Sequence, residues 1–65
     1  MIKYYIYQSD DEGVYRVSKT DRGSSLCTFY SDGEDNSSIL QEADKQMSLE
    51  GKLNSCIHTT YIFDS

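Results

Sequence analysis

Carboxylates are the side chains of this 65-residue sequence most able to do chemistry, with 11 Asp and Glu against six Lys and Arg. Six of them form two acidic runs, with Asp10, Asp11 and Glu12 in the first and Asp32, Glu34 and Asp35 in the second. Clustered carboxylates can bind Ca²⁺, but the second run lacks the ligand spacing of a calcium-binding loop. Both runs instead suit recognition of Lys and Arg on a partner protein. The alternative is that they are ordinary turn and helix-start residues.

The other reactive side chains do not form a catalytic or zinc-binding pattern. His58 is the single histidine and is flanked by Ile57 and Thr59 on a predicted strand, where a lone histidine is more often structural or exposed than catalytic. Cys56 shares its strand face and Cys27 could approach, but structural zinc requires four ligands. The sequence also has no glycine-rich phosphate loop or cofactor motif. We therefore predict no enzyme, no metal and no cofactor, with both cysteines as reduced thiols.

The tyrosines are a second candidate for recognition, because six Tyr occur in so short a chain. In the first strand, Tyr5 and Tyr7 alternate with Ile2, Tyr4 and Ile6, so they point to the opposite face of the sheet. A single helix covers only one face, which predicts an uncovered aromatic face that binds a partner or a second copy. Tyr15 or Tyr61 joins that face, depending on register. The alternative is that Tyr simply suits strands.

These side chains must be positioned by a small α+β domain that spans residues 1–65. Alternating and β-branched residues predict strands at 2–7, 14–18, 26–30 and 57–63, separated by Gly- and Asp-containing breaks. Ser37 or Ser38 can cap a helix over 38–50, whose apolar stripe is Ile39, Leu40, Ala43 and Met47 and which ends at Gly51. The predicted order is βββαβ, with a mainly antiparallel sheet and one helix on one of its faces.

Strand directions then predict where the acidic runs lie. If the first three strands form a meander, the turn at 10–12 and the loop at 32–35 share one end of the sheet. Asp64 would join them there, and Lys19, Arg22 and Lys52 would gather at the other end. Such an acidic pole would present a focused field to a basic surface.

Composition excludes several classes of partner. The formal net charge is −5 and the isoelectric point is near 4.5, which disfavours direct binding to nucleic acid. No leader-like segment opens the chain, and no apolar stretch is long enough to span a membrane. We therefore expect a complete cytoplasmic protein.

The helix pattern of Ser38, Ile39, Ala43, Met47 and Gly51, followed by the closing strand 57–63, resembles the small inhibitors encoded by phages and mobile elements, particularly anti-CRISPR proteins. The resemblance implies a non-enzymatic inhibitor that mimics nucleic acid and occupies a basic site of a host defence complex. The contact residues would be the six carboxylates of the two acidic runs, with Tyr5 and Tyr7 as anchors.

Two other functions remain open. The first is an oligomeric sponge that sequesters a signalling nucleotide, with Tyr stacked on the base and Lys19 or Arg22 beside the phosphate. The second is a structural or regulatory homodimer that associates through the outer face of the sheet, in which the acidic residues provide solubility.

Overall fold

The computed structural model describes residues 1–33, 35–53 and 59–64. This part of the chain forms four strands and one helix in the order βββαβ: β1 (Ile2–Gln8), β2 (Val14–Ser18), β3 (Cys27–Ser31), α1 (Asn36–Leu49) and β4 (Thr60–Phe63). The predicted α+β class, with its mainly antiparallel sheet, is confirmed. The first two residues of the predicted closing strand, 57 and 58, lie outside the described residues.

The strand order β3-β1-β2-β4 differs from the predicted meander. β3 pairs antiparallel with β1, placing Cys27 opposite Ile6 and Ser31 opposite Ile2, whereas β4 pairs parallel with β2. The meander is wrong because residues 19–26, which we call the crossing segment, carry the chain back across β1 before β3 begins. β3 therefore runs in the same direction as β2.

The crossing segment passes over the sheet face opposite α1, which we call the open face. The Tyr7 hydroxyl projects from β1 on this face and fixes the segment by two hydrogen bonds. It donates to the Thr20 carbonyl oxygen at 3.1 Å and accepts from the Arg22 backbone N–H. Ser18 becomes fully buried beneath the segment, and its hydroxyl accepts from the Thr20 N–H at 3.0 Å.

The core lies between the other sheet face and α1. The apolar stripe of the helix buries Ile39, Ala43 and Met47, as its spacing predicts, while Leu40 packs at the margin. The sheet contributes large side chains, including Tyr4, Ile6, Val17 and Phe29. Burial of each such side chain stabilises the fold by about 1.5–3 kcal/mol, so this face supplies most of the stabilisation available to a domain of this size.

Both ends of α1 are capped by residues close to it in sequence. Asp35 is the N-cap, and its carboxylate accepts from the Ser38 N–H at 2.7 Å. The prediction that Ser37 or Ser38 caps the helix is wrong, because Asp35 provides an equally suitable acceptor one turn earlier. Gly51 ends the helix at φ 67°, and the adjacent Lys52 N–H bonds to the Met47 carbonyl at 3.0 Å, as in a Schellman motif.

Candidate functional site

The two acidic runs lie at opposite ends of the sheet. Asp10, Asp11 and Glu12 form the turn between β1 and β2, and we call this side of the molecule the hairpin end. Because β3 is antiparallel to β1, it ends beside Ile2, and Asp32 and Asp35 follow at the far end. The predicted acidic pole is therefore wrong. Glu34 lies outside the described residues.

Other charged residues whose positions were predicted from the meander also lie elsewhere in the structure. Asp64 follows β4 at the far end, where its backbone N–H bonds to the Val17 carbonyl at 2.7 Å. Lys52 follows the end of α1 at the hairpin end, whereas Lys19 follows β2 at the far end. The predicted group of Lys19, Arg22 and Lys52 is consequently separated along the sheet.

The turn at the hairpin end holds its carboxylates in solvent. Its backbone is closed by a hydrogen bond from the Val14 N–H to the Asp11 carbonyl at 3.2 Å, and the Ser9 hydroxyl accepts from the Asp11 N–H at 3.2 Å. Asp10, Asp11 and Glu12 are all exposed, and within the described part of the chain their carboxylates form no salt bridge. These three groups are therefore available to a cationic partner.

The second acidic run is partly structural. The carboxylate of Asp35 is engaged in the helix cap, which agrees with the alternative interpretation of this run as a helix start. Asp32 is exposed, and it precedes Gly33, whose N–H bonds to the Ser31 hydroxyl at 3.4 Å. Only one described member of this run thus has an unengaged carboxylate.

The exposed surface of α1 carries further carboxylates that the prediction did not include in the site. Glu42 and Asp44 are exposed on either side of the buried stripe, and Lys45 is exposed opposite it. Asp44 accepts a hydrogen bond from the Tyr61 hydroxyl at 3.0 Å. Burial raises the pKa of Tyr61, and the hydrogen bond to Asp44 and the charge of Asp44 raise it further. The Tyr61 phenol therefore remains a neutral donor that links β4 to the helix.

The open face carries the opposite charge. Lys3 and Arg16 project from its strands, and the Arg22 guanidinium reaches it from the crossing segment. Asp64 is the described ion-pair partner of the two arginines, with its carboxylate 3.0 Å from Arg22 Nη1 and 3.8 Å from Arg16 Nη1. The Lys3 ammonium lies 5.4 Å from the centre of the Tyr5 ring, within the range of a cation–π interaction.

Tyrosines on the open face are only partly accessible. Tyr5 and Tyr7 lie there as their alternation predicts, stacked with ring centres 6.4 Å apart, but each is half-buried. The sequence did not decide the face of Tyr15 or Tyr61. Both lie on the helix side of the sheet, where their ring centres are 5.7 Å apart. The large exposed side chains of the open face are instead Tyr30, which is 58% exposed, and Ile62, which is 43% exposed.

A shallow groove of about 440 Å³ lies between α1 and β4, lined by Ser37, Leu40, Gln41, Asp44, Thr59 and Tyr61. Its single carboxylate already accepts from Tyr61, and the described residues bring no group of three metal ligands together. Cys27 is buried with its sulfur 3.3 Å from that of Met47, and burial raises the pKa of its thiol. Cys56 and His58 of the considered zinc set lie outside the described residues.

Comparisons with known proteins do not add a family. Neither a family model nor a curated protein nor a solved structure matches this chain. Among the helices that the structure describes, none is long and apolar enough to cross a membrane.

Proposed function

We propose that this chain is a non-enzymatic, anti-CRISPR-like inhibitor that binds a basic, nucleic-acid-binding surface of a host defence protein in the bacterial cytoplasm. The observation that supports it is the position of the exposed carboxylates among the described residues. Exposed carboxylates lie at the hairpin end and along α1, where they outnumber the exposed cations Lys45 and Lys52, while the described ion pairs lie on the open face. A protein with this arrangement presents negative potential to a basic partner without first breaking its own salt bridges.

The hairpin end is the centre of this contact. β1 contains seven residues, so the two ends of the sheet are separated by about 20 Å and one compact basic patch does not meet both. The hairpin end has three unengaged carboxylates, Asp10, Asp11 and Glu12, whereas the described part of the far end offers Asp32 alone. Asp32 therefore lies outside this contact, and Asp35 acts through the helix cap.

Inhibition follows from competition for the partner's cations. Carboxylates at the hairpin end would take the positions of phosphates on the partner's Lys and Arg side chains, which excludes nucleic acid from that surface. Tyr5 and Tyr7 would supply anchoring only through the ring edges that remain accessible beside the crossing segment.

The test uses two double variants with the same net charge. Asp10→Asn/Asp11→Asn removes charge at the hairpin end, and Asp21→Asn/Asp32→Asn removes the same charge elsewhere. The Asp21 carboxylate accepts from the Gly23 N–H, and the amide that replaces it keeps an oxygen for this bond. Each immobilised protein is exposed to a nuclease-treated bacterial lysate. We expect wild type and the second variant to retain nucleic-acid-binding proteins that added nucleic acid displaces, and the first variant to lose them.

The proposal fails if both variants retain the same proteins equally, since the position of the charge would then be irrelevant. It also fails if added nucleic acid leaves the retained proteins in place, or if wild type retains none. Raising the salt concentration should release the retained proteins, because the contact is between exposed charges.

A further inference from the structure

The open face is basic although the whole chain is acidic. Together with the crossing segment, it holds four of the six Lys and Arg, and the Asp and Glu that the structure describes there number two. These residues are Lys3, Arg16, Lys19 and Arg22 with Asp21 and Asp64. The remaining described carboxylates lie at the two ends and on the helix. The net charge therefore misrepresents the field that a ligand meets at this face.

Aromatic rings and a cation lie side by side on the part of the open face that the crossing segment leaves uncovered. The antiparallel register of β1 and β3 sets Lys3 opposite Tyr30 and Tyr5 opposite Thr28. Tyr30 is 58% exposed, and the Lys3 ammonium lies over the Tyr5 ring. A ligand at this site therefore meets the exposed Tyr30 ring, with the Lys3 ammonium on the adjacent strand.

This combination selects among anionic ligands. Single-stranded nucleic acid offers both phosphates for the cations and bases that stack on aromatic rings, and sheets with exposed aromatic residues are a known platform for it. An acidic peptide satisfies the cations but leaves the exposed Tyr30 ring without a planar partner. Duplex nucleic acid keeps its bases stacked inside the helix. The observations therefore favour a single strand.

We propose that the open face binds a short single-stranded nucleic-acid segment, with a base stacked on Tyr30 and phosphates beside Lys3 and Arg16. The net charge of the chain predicted that it does not bind nucleic acid. The local excess of cations on the open face favours such binding at this one surface. This inference does not rest on the proposed inhibitory function, because it uses the other surface of the molecule. Binding is weak at physiological salt, since few phosphates are neutralised.

Asp64 limits this binding. Its carboxylate engages both Arg22 and Arg16, and thus cancels part of the positive charge that a phosphate would meet. Asp64→Asn should therefore strengthen binding by more than its change in net charge explains. Glu42→Gln is the matched control, because it makes the same change in net charge on the exposed side of α1.

The experiment is a fluorescence anisotropy titration at low salt with a labelled oligothymidylate of about 10 nucleotides, a length within the usual site size of small domains. We expect wild type to bind, Tyr30→Phe to bind similarly, and Tyr30→Ala to bind about 5- to 150-fold more weakly because a stacking platform is lost. Asp64→Asn should bind more tightly than Glu42→Gln. Circular dichroism checks that each variant is folded.

Several results would overturn the inference. They are no binding by wild type at low salt, equal binding by Tyr30→Ala and wild type, and equal gains for Asp64→Asn and Glu42→Gln. Competition by polyglutamate as effective as that by unlabelled oligothymidylate would identify an acidic-peptide site instead. The Asp10→Asn/Asp11→Asn variant should bind the oligonucleotide at least as well as wild type, so failure here is distinguishable from failure of the inhibitory function.

Discussion

The two faces of the sheet are covered in different ways, by an apolar helix on one side and by a polar chain segment on the other. Beneath α1, Tyr4, Ile6, Val17 and Met47 have no exposed surface. On the open face, the crossing segment is held by hydrogen bonds of the Tyr7 hydroxyl and leaves Lys3, Arg16 and Tyr30 exposed. Stability is therefore concentrated on one face, and the other face keeps polar and aromatic side chains in contact with solvent.

The difference shows how a very small domain can combine a core with a solvent-exposed face that carries cations and tyrosines. A chain of this size has an expected free energy of unfolding of only about 3–10 kcal/mol, so it has little tolerance for polar groups inside its single apolar layer. The crossing segment covers part of the second face through hydrogen bonds, so this covering requires few apolar side chains. Cations and tyrosines can therefore remain there in contact with solvent.

The largest effect is expected when an isoleucine is replaced by alanine on each face and the two losses of stability are compared. Ile6→Ala removes a fully buried side chain beneath α1 and should lower the free energy of unfolding by about 2–5 kcal/mol. Ile62→Ala acts on the open face, where the side chain is 43% exposed, and should cost less than about 1 kcal/mol. Urea denaturation measures both. Comparable losses would show that the open face contributes to the core.

A smaller difference is expected between two glycines with similar backbone angles. Gly33 (φ 72°) lies beside the helix-covered face, where an added Cβ would be 2.8 Å from the Tyr4 hydroxyl, whereas Gly23 (φ 78°) lies in the crossing segment with open space around it. Gly23→Ala should cost about 1–2 kcal/mol from backbone strain. Gly33→Ala should cost about 1–3 kcal/mol more, because it also crowds the core.

Thermal denaturation compares the two alanine variants, and a second substitution isolates the crowding. Tyr4→Phe removes the nearest atom, a buried hydroxyl that has no hydrogen-bond partner among the described residues. It should recover part of the Gly33→Ala loss and none of the Gly23→Ala loss. Equal recovery in both backgrounds would show that crowding against Tyr4 is not the cause.

The smallest effect is expected from removing one hydroxyl on the open face. Tyr7→Phe deletes both hydrogen bonds that fix the crossing segment and should lower the free energy of unfolding by about 1 kcal/mol. Trypsin should then cleave faster after Arg22, which lies in that segment. Tyr5→Phe is the control, since its hydroxyl makes no hydrogen bond in the described residues. Unchanged cleavage in Tyr7→Phe would mean that other contacts hold the segment.

Local features of the fold could be predicted from the sequence because each depends on residues close together in the chain. Alternation placed Tyr5 and Tyr7 opposite Tyr4 and Ile6, and helical spacing identified the buried stripe of α1. Gly51 was predicted to end the helix because a residue at positive φ is favoured there. The N-cap was assigned wrongly because Asp35 and Ser38 are both good caps, and composition does not choose between them.

The arrangement of the site could not be predicted because it depends on strand direction. Alternation fixes which residues share a face, but the same pattern fits a β3 paired with β2 or with β1. The choice between them is made by contacts between distant residues, such as the Tyr7 hydroxyl with Thr20 and Arg22. That choice moved Asp32 and Asp35 away from the hairpin end, and it brought Tyr30 beside Lys3 on the open face.

The central position of the β1–β2 hairpin has a consequence for how the chain folds. These two strands are joined by a short turn, while β3 and β4 add to the outer edges of the pair after long connections on opposite faces. Closing the hairpin first costs the least chain entropy, and the hairpin then provides an edge for each later strand. This hairpin should therefore form before the slower, non-local pairing of β3 and β4, and β4, the last of the four strands along the chain, completes the sheet after the preceding elements are already in place.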